Sequence, residues 1–186
     1  ENRFQTGYSL PTYTLLGSQV IRLPFIVETS LGHEILHQWF GNHVYVNYAA
    51  GNWLEGLTTY LSDYWYSHLK GGGAEYRKKI LSDYMNYVTP ANEITLREFR
   101  GPDSYSARAV GYGKGAMVFH MLRMNLGDEL FFKALREFIS SFQYHEASWD
   151  SLRDNFTSAG KQDLKAFFQQ WIDRKGVPAF AVAHAQ

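Results

Sequence analysis

Residues 33–37 read His-Glu-Ile-Leu-His, which has the residue types and the spacing of a metal-binding helix. Histidines four residues apart lie on one face of a helix, one turn apart, so His33 and His37 can bind one zinc ion together. Glu34 is placed to accept a proton from water at the open side of the metal. Glu55 would complete a His, His, Glu ligand set that leaves one position free, which is typical of catalytic rather than structural zinc.

The alternative for residues 33–37 is an amphipathic core helix whose histidines are satisfied by hydrogen bonds. A bare His-Glu-x-x-His motif arises by chance on the order of once per few hundred chains of this length, so its setting matters. Two N-cap candidates, Thr29 and Ser30, precede the motif, and a Gly-Asn stop signal follows at 41–42. The core-helix alternative leaves Glu34 unexplained, so the sequence favours a zinc site.

Three segments, in chain order, resemble the motifs of the aminopeptidase N family of zinc aminopeptidases, which have a thermolysin-like catalytic domain. His-Glu-Ile-Leu-His-Gln-Trp-Phe-Gly-Asn at 33–42 resembles the zinc helix of that family. Trp-Leu-Glu-Gly-Leu-Thr-Thr-Tyr at 53–60 resembles the segment that provides the third zinc ligand. Val-Gly-Tyr-Gly-Lys-Gly-Ala-Met at 110–117 resembles the Tyr-x-Lys-Gly segment. Weaker similarities at both ends extend the resemblance over nearly the whole chain.

The resemblance implies one Zn²⁺ per chain, a peptide substrate and two further site residues. Tyr112 matches the tyrosine that contacts the reacting carbonyl group. Glu1, at the end of what resembles a Gly-x-Met-Glu-Asn motif, would bind the free ammonium of the substrate and restrict cleavage to the first residue. The chain departs from the family in one spacing, because seventeen residues rather than eighteen separate His37 from Glu55. A loop absorbs such a deletion readily, and no other acid lies nearby, so Glu55 remains the predicted ligand.

Two further polar residues of the second motif are candidates for steadying a ligand. Thr59 shares a helical face with Glu55, and Asp63 lies one turn further on. Ordinary helix packing explains these two positions equally well. The Gly-rich segment at 111–115 lacks the spacing of a phosphate-binding loop. The alternative to its resemblance to the Tyr-x-Lys-Gly segment is a flexible turn that opens a helix. Five more histidines are predicted to be core or surface residues: His43, His68, His120, His145 and His184.

Composition limits the remaining function classes. Lys plus Arg equals Asp plus Glu at 18 each, and no basic block occurs, so neither nucleic acid nor an anionic membrane is an expected partner. The chain has no Cys, which excludes a disulfide framework and thiol catalysis. No run of 18 apolar residues predicts a membrane span. The 13 Tyr, 13 Phe and 5 Trp predict a packed aromatic interior and a cleft lined by rings.

The pattern of apolar residues and breakers predicts a mainly α fold, a thermolysin-like catalytic domain with a small residual β portion. Helices are expected over the following ranges: 27–40, 52–69, 74–87, 112–126, 128–142, 148–159 and 162–174. Residues 1–24 are expected to be extended, and 91–111 to form an irregular functional loop. We expect residues 1–176 to form a catalytic domain cut from a longer protein whose flanking domains are missing. Residues 177–186 are expected to begin a following β domain.

The leading functional hypothesis is zinc-dependent hydrolysis of peptide bonds that removes N-terminal residues. One alternative is a zinc hydrolase that acts on a small non-peptide substrate. Another is a metal-bearing fragment that acts only as a binding module. Retention of both Glu34 and Tyr112 argues against a site that has lost its chemistry.

Overall fold

A small β-hairpin precedes a helical body in the computed structural model, which describes residues 3–176. Strand β1 (Gly7–Leu10) pairs antiparallel with β2 (Tyr13–Leu16), and Gly7 lies opposite Leu16. The hairpin packs against the first helix, so part of the stretch that was expected to be extended forms one wall of the site.

The rest of the described chain is mainly helical, which confirms the predicted fold class. A short parallel pairing, which the sequence did not predict, joins β3 (Tyr45–Val46) to β4 (Glu146–Ala147). The helices within residues 3–176 are α1 (Ser30–Leu36), α2 (Leu54–Thr59), α3 (Trp65–Leu69), α4 (Gly73–Tyr87), α5 (Tyr105–Arg108), α6 (Gly115–Leu126), α7 (Asp128–Ser141), α8 (Trp149–Gly160) and α9 (Lys165–Trp171).

Two π turns join four of these helices into two continuous rods. Tyr60–Tyr64 connects α2 to α3, so the helix predicted at 52–69 is present with an altered middle. Ala109–Lys114 connects α5 to α6, so the helix predicted to begin at residue 112 begins at Tyr105 instead. The prediction of an irregular stretch up to residue 111 was therefore wrong over its last seven residues. The Gly-rich segment is not a flexible turn but lies inside a helical rod.

Helix α1 is shorter than the 27–40 predicted for it. At its start, Thr29 has φ −133° and ψ −108°, and its hydroxyl donates to the carbonyl of Phe25 instead of capping the helix. At its end, Gly41 adopts φ 118°, and its N–H donates to the carbonyl of Val44 at 2.8 Å. The chain therefore turns back just after the predicted metal ligands. Helix α9 is also shorter than the predicted 162–174.

Aromatic side chains fill the core between the rods, as their frequency predicted. Trp53, at the start of α2, is fully buried, and its indole N–H donates to the carbonyl of Ala147 at 2.8 Å. This bond ties the loop before α2 to β4. The largest fully buried side chains include Trp53, Trp149, Tyr60, Phe99, Phe119, Phe131, Phe138, Phe156 and Phe168.

None of the helices in the described part of the chain combines the length and apolar character that crossing a bilayer requires. The predicted strand and following β domain at 177–186 lie outside the described residues, as does the predicted substrate-binding residue Glu1.

Candidate metal centre and catalytic cleft

The three predicted metal ligands converge on one point. His33 lies in the last turn of α1, His37 is the residue that follows this helix as its C-cap, and Glu55 lies in the first turn of α2. One ligand atom from each lies within 4.8 Å of the others. Glu55 Oε2 lies 3.2 Å from His33 Nε2 and 3.7 Å from His37 Nε2. The shortened connection between the two helices therefore still brings Glu55 to the histidines.

A backbone contact between two helices holds Glu55 in place. A Cβ atom on Gly56 would lie only 2.8 Å from the backbone of Gly115, the first residue of α6. Real Cβ atoms essentially never approach a neighbour this closely, so α2 and α6 touch at a point where only glycine fits. The position of the carboxylate thus depends on α6 as well as on α2.

Hydrogen bonds to the far ring nitrogens orient both histidines. Asp63 Oδ2 lies 2.8 Å from His33 Nδ1, and the carbonyl of Phe40 lies 3.2 Å from His37 Nδ1. These partners leave both Nε2 atoms directed at Glu55. Bonds of this kind fix the ring orientation and tautomer of histidines that bind metals.

Of the two threonines after Glu55, it is Thr58 rather than Thr59 whose hydroxyl lies near a candidate ligand. Thr59 lines the cleft, but its buried hydroxyl has no hydrogen-bond partner among the described residues. Thr58 contacts a ligand instead, because its hydroxyl lies 3.5 Å from His37 Nδ1 and donates to the carbonyl of Leu54. Thr58 was not among the predicted residues, although it lies three residues after Glu55 and therefore near the same face of the helix.

Glu34 is a buried carboxylate beside the candidate metal centre. Burial raises its pKa to about 7, and the negative charges of Glu55 and Asp63 add to this effect while His33 opposes it. Its side chain lies against the backbone of Gly7 in β1, where a Cβ atom would meet Glu34 Cδ at 2.6 Å. No local pattern in the sequence connects Gly7 with Glu34.

The charged groups at the centre shift one another's pKa values. Burial lowers the pKa of His33, but its hydrogen bonds to Asp63 and Glu55 outweigh this effect and raise the pKa to about 10. Burial also lowers the pKa of His37. Glu55 is buried, yet its hydrogen bond to His33 and the charges of both histidines hold its pKa below the usual value. The shifts of His33 and Glu55 show that the imidazolium and the two carboxylates stabilise one another, and a cation bound at the same point would replace the proton of His33 as their positive partner.

Tyr112 reaches the centre from the second π turn. Its ring stacks on His33 with centroids 6.2 Å apart, and it packs edge-on against Phe99 at 6.1 Å. Burial and the charge of Glu55 raise the pKa of its phenol far above the usual value. Tyr112 therefore keeps its proton and acts as a hydrogen-bond donor, here to the carboxylate of Glu55.

A cleft of about 1010 Å³ opens over the metal centre. Its walls come from β1, α1, α2, α4 and the segment around α5. Aromatic rings line it beyond the candidate ligands, as the composition predicted, together with Arg108: Tyr8, Tyr48, Tyr76, Tyr87, Tyr105 and Tyr112. The histidines at positions 43, 68, 120 and 145 belong to no group of candidate ligands in the described part of the chain, and the one at 184 lies outside it.

Comparison with known proteins gives a consistent result. The model of the Peptidase family M1 domain matches residues 25–171. The alanine/arginine aminopeptidase of Saccharomyces cerevisiae is 29% identical over 195 residues, which cover 95% of this chain and 22% of that protein. Aminopeptidase N of Lactococcus lactis is 27% identical over 165 residues, which cover 82% of this chain and 19% of that protein. The chain thus spans about a fifth of the length of these curated relatives.

A solved structure shares the fold. The M1 zinc metallopeptidase from Deinococcus radiodurans superposes with a TM-score of 0.73 at 23% sequence identity, covering 98% of this chain and 40% of that one. The helical body and its hairpin therefore correspond to a known architecture.

Proposed function

The chain belongs to the peptidase M1 family, and from this premise we propose that it hydrolyses peptide bonds with one zinc ion held by His33, His37 and Glu55. The observation that carries the proposal is the convergence of three ligand atoms within 4.8 Å of one another beside a buried carboxylate. Known relatives over this region are named aminopeptidases, which supports removal of N-terminal residues.

The donor set suits zinc, which the family implies as the cofactor. Two imidazoles and one carboxylate are the protein ligands of many catalytic zinc sites, and they leave a position for water or substrate. Zinc bound here supplies Lewis acidity that polarises the substrate carbonyl and makes water a better nucleophile at neutral pH. Asp63 holds His33 in the orientation that this requires.

Glu34 is the proposed general base. Its pKa of about 7 suits a group that accepts a proton from the attacking water and later donates it to the leaving nitrogen. In this step the water oxygen bonds to the carbonyl carbon, the C–N bond breaks, and the amine leaves with the proton from Glu34. Burial beside Gly7 keeps the carboxylate in a restricted position.

Tyr112 is the proposed donor to the carbonyl oxygen as negative charge develops on it. One donor of this kind typically stabilises the transition state by about 3–4 kcal/mol. Because its phenol stays protonated, Tyr112 can act in this way throughout the neutral pH range.

Restriction to N-terminal residues is a finer part of the proposal. Glu1 is the proposed partner for the ammonium of the substrate, and residues 1–176 are the proposed catalytic domain, with 177–186 beginning a following β domain. The names of the relatives support an aminopeptidase, although this chain spans only about a fifth of their length.

The test combines metal analysis with hydrolysis of aminoacyl reporter substrates. We expect one zinc per chain, turnover that a chelator abolishes and added zinc restores, and loss of zinc in His33→Ala and His37→Ala. Glu34→Gln should retain zinc and lose nearly all turnover, because an amide does not accept the proton at neutral pH. His43→Ala is the matched control, since it removes a nearby histidine that belongs to no candidate ligand group in the described residues.

Two outcomes would contradict the proposal. Full zinc content in His37→Ala removes this residue from the ligand set, and wild-type turnover in Glu34→Gln removes the base. Zinc without any hydrolysis would favour the binding-module alternative. Hydrolysis of small amides or esters but not of peptides would favour the non-peptide alternative.

A further inference from the structure

Arg108 lines the catalytic cleft but has no part in the proposed chemistry. It is the last residue of α5, and its guanidinium carbon lies 5.0 Å from the centroid of the Tyr112 ring. One turn earlier, Tyr105 is 72% exposed and stacks on Tyr87 of α4 at 5.1 Å. The guanidinium of Arg108 therefore lies over the ring of Tyr112, and the exposed pair of Tyr105 and Tyr87 lies next to it.

The charge of Arg108 has no carboxylate partner among the described residues, although several acidic side chains line the same cleft. Lys79 forms an ion pair with Asp83, while Asp63 and Glu55 bond to ring nitrogens of the histidine ligands. A guanidinium is planar and presents a fork of N–H donors that matches a carboxylate. Arg108 is therefore free to bind a carboxylate that enters the cleft.

Arg108 also lies within reach of the reacting bond. The ring of Tyr112 is 6.2 Å from the ring of His33 and 5.0 Å from the guanidinium carbon. These two distances place the guanidinium at most about 11 Å from His33, and an extended peptide spans roughly 3.3–3.6 Å per residue. A group on an extended substrate that contacts Arg108 therefore lies about three residues from the metal centre.

The positive charge of Arg108 determines which end of a peptide substrate can lie beside it. A guanidinium repels the ammonium of a free N-terminus and attracts a carboxylate. In a short peptide that loses its first residue, the C-terminal carboxylate lies downstream of the bond that breaks. An acidic side chain on the leaving part is the other source of the same chemical group.

We propose that Arg108 binds a carboxylate on the leaving part of the substrate, within about three residues of the scissile bond, and so favours short peptides with a free C-terminus. This inference rests on the proposed peptidase function. It assigns a specificity role to a residue that makes no contact with the candidate ligands.

The experiment compares matched tripeptides on the full chain loaded with zinc. The substrates are a neutral tripeptide as the free acid, the same tripeptide as its C-terminal amide, and an amide with aspartate as the third residue. We expect kcat/KM to be about three- to fivefold higher for the acid than for the neutral amide, the scale of a partly exposed charge pair. Arg108→Gln should bring this ratio close to one, mainly by raising KM for the acid.

The ratio separates charge recognition from packing. Any effect of Arg108→Gln through Tyr112 changes both substrates alike and cancels. Arg108→Lys keeps the charge without the planar fork, so an intermediate ratio is expected. Arg136→Gln is the matched control, because it removes an exposed cation that lies outside this cleft. Dependence of the aspartate-bearing amide on Arg108 would identify an acidic side chain as a second source of the carboxylate.

A binding measurement separates failure of this inference from failure of the proposed function. Calorimetric titration of zinc-loaded Glu34→Gln with the acid and with the neutral amide should show tighter binding of the acid, and adding Arg108→Gln should remove the difference. If the chain hydrolyses no peptide yet shows this binding preference, the function fails and the carboxylate site stands. If hydrolysis proceeds with equal kcat/KM for acid and amide in the unaltered chain, or if Arg108→Gln leaves the ratio unchanged, the inference is overturned.

Discussion

Substitution of Gly7 by alanine tests whether β1 positions Glu34, the proposed general base. A Cβ atom at this position would lie 2.6 Å from Glu34 Cδ and 2.7 Å from Glu34 Cγ, whereas ordinary contact begins at 3.4 Å. The Oε1 atom of Glu34 would lie closer still, so the carboxylate must move by roughly 1 Å. Because a displacement of about 1 Å can cost about 10²-fold in rate, we expect kcat to fall by about 30- to 100-fold. This loss corresponds to about 2–2.7 kcal/mol in the activation free energy.

The assay for Gly7→Ala measures kcat on an aminoacyl reporter, together with zinc content and the melting temperature. Zinc should be unchanged, since Gly7 contacts no ligand in the described structure, and Glu34→Gln sets the lower limit of activity. Gly101→Ala is the matched control, because the nearest atom to its added Cβ is 3.9 Å away. Wild-type kcat in Gly7→Ala would refute the argument that β1 confines the carboxylate of Glu34.

Three further predictions concern other contacts of the site and the core. Asp63→Asn should weaken zinc affinity by about 10- to 100-fold in a chelator competition, since His33 loses its charged partner. Asp83 also lines the cleft but bonds to no candidate ligand, so Asp83→Asn should leave the zinc affinity unchanged. Tyr112→Phe should retain zinc and lower kcat by about 10²–10³-fold, and an unchanged kcat would remove it from the site. Burial, aided by nearby cations, lowers the pKa of His120, so the unfolded chain binds a proton first as the pH falls below about 6.5 and stability is lost there. In His120→Gln the urea midpoint should therefore fall less between pH 7.5 and 5.5 than in the parent, and an equal fall would contradict this assignment.

The sequence predicted the elements that local patterns specify. Four-residue spacing of His33 and His37 indicated a helix, and the glycines at 71–73 placed the start of α4 within one residue of where it lies. The end of α1 was misplaced because it depends on Gly41 bonding to Val44 and on the fold of the following loop. Local propensity contains no information about such a contact, so α1 was extended to residue 40, over residues that form hydrogen-bonded turns onto Ile35 and Leu36 before the chain reverses at Gly41.

The residues around the metal ligands were harder to predict than the ligands themselves. Asp63 was a candidate from its position one turn beyond Thr59, but the choice between them depended on the π turn at Tyr60–Tyr64. A π turn adds a residue to one helical turn and so rotates the side chains beyond it around the helix axis. Asp63, which lies inside this turn, bonds to His33, while the hydroxyl of Thr59, which precedes the turn, has no partner in the described residues. A regular helical wheel does not give this result.

The glycines around Tyr112 serve close packing rather than flexibility. A Cβ atom on Gly111 would overlap the ring of Phe99, and Gly115 lies against the backbone of Gly56, next to the candidate ligand Glu55. The same helical rod therefore presents Tyr112 to the cleft and holds α2 in the position that directs Glu55 at the histidines. A larger residue at either glycine would displace the proposed hydrogen-bond donor and the third ligand together. The Gly-rich pattern thus reflects a backbone junction on which both the metal centre and its neighbouring tyrosine depend.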